Sequence, residues 1–255
     1  MLDKIRYRVF ENPDSASAQV AAEIAQLIRE RATLGRSAVL GLAAGPTLLP
    51  LYAELIYQHR EEALSLNNVI TFNLDEYLGL NSDHPASFRA FMQRHFFDHV
   101  DIPDENIHFL SGKVAAHEAE NHCAAYEKQI NKVGGIDFQV IGIGRSGHIG
   151  FNEPGTPAHA TTQRVELGEL TRDEVAKTFA HLDPVPTHAL TMGCGTILKA
   201  RKIALLAWGA SNARIVRSAI QGPVTSRICA SYFQNHRMAQ FFLDPPAASV
   251  LTRQK

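Results

Sequence analysis

Short apolar runs alternate along this chain with longer segments in which apolar residues recur at helical spacing. The short runs are rich in Val, Ile, Leu and Phe and are nearly continuous, which is typical of strands buried on both faces of a parallel sheet. The pattern predicts an α/β fold with a Rossmann-like open, mainly parallel sheet and helices on both faces. No repeat or Ser/Gly-rich linker interrupts the sequence, so we expect a single domain over residues 1–255.

The predicted elements divide into strands, helices and one long loop. The strand candidates are 37–42, 68–73, 138–143, 188–192 and 202–207, with weaker ones at 6–10, 228–230 and 239–243. Helices are predicted over 15–33, with Asp14 and Ser15 as its N-cap, and over 47–59, 84–97, 115–133, 171–178 and 212–221. Residues 144–168 follow a central strand and are predicted to be a loop. Because open parallel sheets bind ligands at the carboxyl ends of their strands, this loop is a candidate binding segment.

The charge balance excludes several classes of partner. The 25 Lys and Arg residues nearly cancel the 26 Asp and Glu residues, for a net charge of −1, so no global field attracts nucleic acid or an anionic membrane. We therefore expect any anionic ligand to be held by local groups.

The sequence also indicates a compartment. It contains no run of 18 apolar residues and no leader-like start. Its three widely spaced cysteines suit reduced thiols rather than a disulfide framework. We expect a cytoplasmic protein.

The segment VLGLAAGPT joins a predicted strand to a predicted helix through a turn that contains Gly45 and Pro46. Such a turn presents backbone N–H groups and the positive end of a helix, near Thr47, to a phosphate. Alternatively, Gly45 and Pro46 only shape the turn, and Pro46 lacks an N–H to donate. Both interpretations are open at this point.

Adjacent carboxylates end the next strand, in FNLDEYLGL. Neighbouring residues of a strand point in opposite directions, so at most one of Asp75 and Glu76 is expected to enter a given cleft. A carboxylate desolvated at this edge is a better proton acceptor near neutral pH. The alternative is a helix-capping role.

A glycine-rich turn follows the strand predicted over 138–143. Gly142, Gly144 and Gly147 match the spacing of a dinucleotide-binding loop, but the HIGFNEPGTP that follows is too rich in Gly and Pro to open the required helix. We therefore expect no nucleotide cofactor, and interpret the turn as a place where a substrate approaches the backbone. His148 and Glu153 suit an imidazole held in one tautomer by a carboxylate, although His148 alone is also consistent with a structural histidine.

Four segments, in order, carry a family resemblance: FNLDEYLGL, HPASFRAFM, GHIGFNEPG and ALTMGCGTIL. With them the chain resembles the glucosamine-6-phosphate deaminase/isomerase family. The resemblance implies an α/β fold, a homo-oligomer, a sugar phosphate as substrate, no cofactor and no metal. It also implies conversion of glucosamine 6-phosphate or a close epimer to a ketose phosphate and ammonia, in amino-sugar catabolism.

The resemblance also implies roles for individual residues. Asp75 matches the group that moves a proton from C2 to C1 of the opened sugar, His148 matches the residue that helps to open the ring, and Glu153 matches its supporting carboxylate. The phosphate-loop region points to Gly45 and Thr47 as substrate-binding residues. The glycine turn adds Gly142, Gly144, Arg145 and Ser146.

Three departures from the family pattern affect the site. Ser146 stands where many members have a carboxylate, the phosphate-loop sequence differs around Gly45, and Asn212 stands where a phosphate-contacting lysine is common. We hypothesise that Arg145 partly replaces that missing cation. Two alternatives follow: a sugar-phosphate-binding sensor with little turnover, and a hydrolase that resembles 6-phosphogluconolactonase.

Overall fold

The computed structural model describes residues 6–179 and 184–252. Their strands are β1 (Arg6–Val9), β2 (Ala38–Leu42), β3 (Val69–Asn73), β4 (Asp75–Tyr77), β5 (Ile107–His108), β6 (Phe138–Ile141), β7 (Gln163–Glu166), β8 (His188–Thr191), β9 (Lys202–Ala207) and β10 (Ala239–Leu243). Their helices are α1 (Pro13–Thr33), α2 (Leu49–Glu61), α3 (Phe88–His95), α4 (Ala119–Lys132), α5 (Glu169–Phe179), α6 (Cys194–Leu198), α7 (Ala213–Gln221) and α8 (Pro245–Ala248). Within the same residues, no helix is long and apolar enough to cross a membrane.

Seven strands form one sheet in the order β1-β10-β9-β6-β2-β3-β5, and every pair in it is parallel. The central strands β2, β6 and β9 are buried almost throughout, which explains why their sequences are mostly apolar. The α/β fold with a mainly parallel sheet is confirmed. One domain over residues 1–255 remains a prediction.

The helices lie on both faces of this sheet. The connections through α1 and α2 run toward the β5 edge of the sheet, from β1 to β2 and from β2 to β3. Those through α4 and α7 run toward the β1 edge, from β5 to β6 and from β9 to β10. Because such crossovers are right-handed, the two pairs cover opposite faces. Helix α1 packs against α2, and α7 packs against α8.

A smaller antiparallel sheet, in the order β4-β8-β7, was not predicted. The strand predicted at 188–192 belongs to this sheet and not to the parallel one. Strand β7 lies inside the predicted loop 144–168; its half-exposed residues give it too weak an apolar signal to be recognised. A separate apolar cluster covers this sheet, formed by Tyr77, Leu80, Ala86, Phe151, Leu167, Phe179 and Ala189.

Two local predictions were wrong. The strand expected at 228–230 is the start of a 3-10 helix, Cys229–Asn235, because the Ser231 hydroxyl bonds to both the N–H and the carbonyl of Thr225 and holds a turn there. The N-cap of α1 is Asn12, which exchanges side-chain and backbone hydrogen bonds with Ser15; Asp14 lies in the first turn.

Candidate active site

The candidate site lies where the direction of the crossovers reverses. Strands β2 and β6 are neighbours in the sheet, but the chain leaves β2 toward β3 and leaves β6 toward β9. Their loops separate at the carboxyl edge and leave a cleft of about 210 Å³. Six of the predicted site residues line it: Gly45, Thr47, Asp75, Gly142, Gly144 and His148.

Asp75 lies at the junction of the two sheets. The backbone of Leu74 donates to Leu42 of β2 and accepts from Met192, and Asp75 itself pairs with Thr191 of β8. The residue is only 7% exposed, and its carboxylate accepts no hydrogen bond from the described residues. Burial, with a smaller contribution from the charge of Glu76, holds the pKa of Asp75 well above the ordinary value for a carboxyl. This carboxylate is therefore a strong base when it is ionised.

Glu76 points away from the cleft and caps helix α3. Its carboxylate accepts the N–H groups of Phe88 and Arg89, both at 3.1 Å, and the hydroxyl of the N-cap residue Ser87 at 2.7 Å. The expectation that only one of the two carboxylates enters the cleft agrees with this geometry. The capping role considered for Asp75 belongs to its neighbour.

The imidazole of His148 lies directly on the backbone of Gly144. A Cβ atom built on Gly144 would lie 2.0 Å from both Cε1 and Nε2 of the ring, so only glycine admits this position. The backbone reinforces it, since Gly144 N–H donates to the carbonyl of His148 at 3.1 Å. Gly147, with φ of 81°, makes the intervening turn. The glycine spacing therefore determines where the imidazole of His148 lies.

The hydrogen-bond partner of His148 Nδ1 is the hydroxyl of Ser146, at 2.9 Å. Glu153 accepts instead from Gly168 N–H at 3.2 Å and from the hydroxyl of Thr171 at 2.6 Å, which ties the start of α5 to the loop after β6. Burial lowers the pKa of His148, and the carboxylates of Glu153 and Glu174 act in the opposite direction. Glu153 thus influences the imidazole through its charge while its hydrogen bonds hold α5.

The loop after β2 presents backbone to the cleft. Gly45 has φ of 131°, a conformation that favours glycine, and begins a 3-10 turn over Pro46–Leu48 that leads into α2. The carbonyl of Thr47 accepts from the indole N–H of Trp208 at 2.9 Å, and Asn212 donates its amide to the carbonyl of Trp208 at 2.8 Å. The Asn212 side chain is therefore used in holding its own turn.

Arg145 does not line the cleft. Its side chain is 68% exposed, and its Nε lies 3.4 Å from Oε1 of Glu174 on α5. The described residues that line the cleft include no Lys or Arg. Glu174 was not predicted from the sequence, where it is one of several charges on a helix and no local pattern distinguishes it.

A larger groove of about 710 Å³ lies elsewhere, between α4 and β7. Neither Asp75 nor His148 lines it. Its carboxylate Glu127 accepts from the N–H and hydroxyl of Thr162 and from the hydroxyl of Thr196, so it is held in a structural network. We place the chemistry in the smaller cleft because the desolvated acid and base groups lie there. No cluster of His, Cys, Asp or Glu suited to a metal ion occurs within residues 6–179 and 184–252.

Fold and site together define an α/β protein in which a buried carboxylate and a buried imidazole line a cleft at the switch point of a parallel sheet. The chain belongs to the family of glucosamine-6-phosphate isomerases and 6-phosphogluconolactonases, whose sequence profile matches residues 11–242.

Several relatives and solved structures resemble the chain along most of its length. It is 42% identical to a glucosamine-6-phosphate deaminase of Bacillus pumilus, over 94% of this chain and 98% of that protein. It is 40% identical to a putative glucosamine-6-phosphate deaminase-like protein of Bacteroides thetaiotaomicron, but spans only 38% of that longer protein. The structure of a monomeric glucosamine-6-phosphate deaminase matches with a TM-score of 0.91 and 39% identity, over 96% of this chain and all of that one.

The 6-phosphogluconolactonase from Trypanosoma brucei has a TM-score of 0.79 at 20% identity, over 98% of this chain and 99% of that one. At that identity the likeness establishes the fold alone.

Proposed function

We propose that the protein is a glucosamine-6-phosphate deaminase that converts glucosamine 6-phosphate, or a close epimer, to a ketose phosphate and ammonia. The observation that carries the proposal is the pairing of a desolvated carboxylate without hydrogen bonds, Asp75, with a buried imidazole, His148, in one cleft. A 1,2-proton transfer requires such a base, and ring opening requires such an acid–base group. Relatives at about 40% identity that carry this name support it.

His148 is the proposed ring-opening group. Opening the cyclic sugar removes a proton from the hydroxyl on C1 and returns one to the ring oxygen. Because Nδ1 is bonded to Ser146, Nε2 is the nitrogen available to the sugar. Burial lowers the pKa of His148, so the imidazole is neutral near pH 7 and can accept the first proton before it donates the second.

Asp75 is the proposed base for the open chain. It takes the proton from C2, which gives an enolamine, and returns a proton to C1, which gives a 2-imino sugar. Water then adds to C2, and ammonia leaves to give the ketose. The absence of hydrogen bonds from the described residues leaves the Asp75 carboxylate basic, as its raised pKa indicates.

The phosphate is proposed to lie against the loop of Gly45 and Thr47, because this loop lines the cleft and leads into the N-terminus of α2, the positive end of that helix. Gly142 leaves open space beside it, since a Cβ there would meet no atom within 4 Å. The hypothesis that Arg145 supplies a cation would require its guanidinium to leave Glu174.

We also propose that the protein is cytoplasmic and, as the family resemblance implies, assembles with copies of itself, in contrast to the monomeric deaminase whose structure it matches. Its three cysteines are buried and have free thiols, as suits a reducing compartment. Light scattering on the purified chain measures the assembly directly, and a monomer would contradict that part of the proposal.

The test is an assay of ammonia and ketose phosphate release from a panel of hexosamine and hexose phosphates. We expect ammonia from glucosamine 6-phosphate or an epimer, and at least a thousandfold loss in Asp75→Asn, in line with the removal of an essential base. Lactone hydrolysis without ammonia would contradict the proposal in favour of a hydrolase. Tight sugar-phosphate binding without turnover would favour a sensor, which the cleft's lack of Lys or Arg among the described residues motivates.

A further inference from the structure

The direct partner of His148 cannot neutralise a positive charge. When the imidazole accepts a proton it becomes a cation, and the hydroxyl of Ser146 at 2.9 Å can accept a hydrogen bond but carries no charge. An imidazolium in a largely buried position needs a negative group nearby, because burial penalises its charge. The remaining neighbours therefore decide how readily His148 can act as a base.

Four charged groups surround this histidine. Asp75 shares the cleft with it, Glu153 and Arg145 belong to the same loop after β6, and Glu174 comes from α5. Oε1 of Glu153 is engaged by Gly168 and Thr171. Asp75 is the base for the sugar carbon, and its pKa is itself raised by burial. Asp75 and Glu153 therefore have other roles, and Glu174 is the carboxylate of the three that remains.

The Glu174 carboxylate is held in an unusual state. Its Oε1 atom is inaccessible to solvent and has no hydrogen-bond partner among the residues that the structure describes. Arg145 Nε lies 3.4 Å away, as an ion pair without hydrogen-bond geometry, and the Arg145 side chain is mostly exposed. A desolvated carboxylate oxygen is costly, and its ion pair with Arg145 gives it no hydrogen bond, so a second positive charge nearby would stabilise it further.

We propose that Glu174 is a positioning residue that supplies the counter-charge for the His148 imidazolium, and that Arg145 moderates this effect by pairing with Glu174. The proposal rests on the proposed function, since the imidazolium forms during ring opening. Glu174 belongs to α5 and not to the loop of His148. Its negative charge acts on the imidazole through space, whereas Ser146 offers only a neutral hydroxyl. Thr171 and Glu153 fix the first turn of α5 and so set the place of Glu174 one helical turn later.

The proposal predicts that two substitutions shift the pKa of His148 in opposite directions. Glu174→Gln removes the negative charge at nearly constant shape, so the pKa of His148 should fall. Arg145→Ala removes the moderating cation, so the pKa of His148 should rise. Asp173→Asn is the matched control, because Asp173 is the preceding residue of the same helix and its side chain is exposed.

The experiment is an NMR titration of the His148 imidazole in protein labelled with 13C-histidine, with His148→Gln used to assign the signal. It needs no substrate and so does not depend on the proposed function. We expect a lower pKa in Glu174→Gln, a higher one in Arg145→Ala and no change in Asp173→Asn. In Glu174→Gln, we expect the further change Ser146→Asp to raise the pKa again, since it places a carboxylate at Nδ1.

A second readout is the pH profile of kcat for ammonia release, where Glu174→Gln should lower kcat about fivefold, as for loss of a partly exposed charge pair. An unchanged His148 titration in Glu174→Gln would overturn the proposal, as would an equal shift in Asp173→Asn. Absence of ammonia release from every hexosamine phosphate, with the titrations as expected, would refute the proposed function while leaving the electrostatic role of Glu174 intact.

Discussion

Gly144 offers a direct test of the link between the glycine turn and catalysis. In Gly144→Ala the new methyl group would lie 2.0 Å from Cε1 and Nε2 of His148, whereas ordinary contact begins at 3.4 Å. The imidazole must therefore move by about 1.4 Å. Gly144 has no positive φ, so the backbone accepts alanine, and the cost falls on the position of the ring.

The expected effect is on turnover. A displacement of about 1 Å at a reacting group costs on the order of 100-fold, which corresponds to about 2.7 kcal/mol in the activation free energy. Overpacking of this kind destabilises a fold by about 1–3 kcal/mol. We expect kcat for ammonia release to fall about 100-fold in a protein that remains folded at 25 °C.

The matched variant is Gly142→Ala, in the same loop and the same cleft. Its methyl group would meet no protein atom within 4 Å, so it intrudes on the space for substrate but leaves His148 in place. We expect its main effect on KM, while Gly144→Ala acts mainly on kcat. Steady-state kinetics of both variants, with circular dichroism as the folding check, separates the two. A kcat for Gly144→Ala within twofold of the wild-type value would refute the reasoning.

Three further outcomes follow from the buried carboxylates. Because the pKa of Asp75 is raised and the base must be ionised, the acid limb of kcat/KM should lie above the range near pH 4 of an ordinary carboxyl, and a limb near pH 4 would contradict this. Because the folded-state pKa of Asp75 lies above the unfolded-state value near 4, this group destabilises the fold progressively as the pH rises above about 4, and the full cost is present above the folded-state pKa. Asp75→Asn should therefore melt higher than wild type at pH 7, and the difference should vanish below about pH 4. Asp137 accepts from Val39 N–H and pairs with Arg31 and Arg201 at the opposite edge of the sheet, so Asp137→Ala should lose about 2 kcal/mol, or about 5 °C in Tm, with unchanged KM.

The parallel sheet was predictable because its central strands are buried and their sequences are mostly apolar. The small antiparallel sheet was not, since β4 has only three residues, two of them acidic, and β7 is half exposed. Their pairing depends on β8, which is distant in sequence from β4. Such contacts leave no local periodicity in the sequence.

The candidate site was likewise predictable only in part. Asp75, His148 and the glycines were identified because they lie at or after the carboxyl ends of predicted strands, and the fold brings those strand ends to one cleft. The carboxylate of Glu153 was expected to hold the ring, whereas the structure gives the contact with His148 Nδ1 to Ser146, which stands where many members of the family have a carboxylate. Glu174 depends on where α5 lies over the loop, which is a property of tertiary packing and not of spacing along the chain.

The small apolar cluster around Tyr77, Phe151 and Phe179 is separate from the core under the parallel sheet. Such separation lets part of a protein open while the rest stays folded. Opening of this unit would release β4 and α5, and with them Asp75 and Glu174, while leaving the seven-stranded sheet in place. On gentle heating, loss of activity should therefore precede loss of helical circular dichroism, and amide hydrogens of β4 and β8 should exchange before those of β2 and β9.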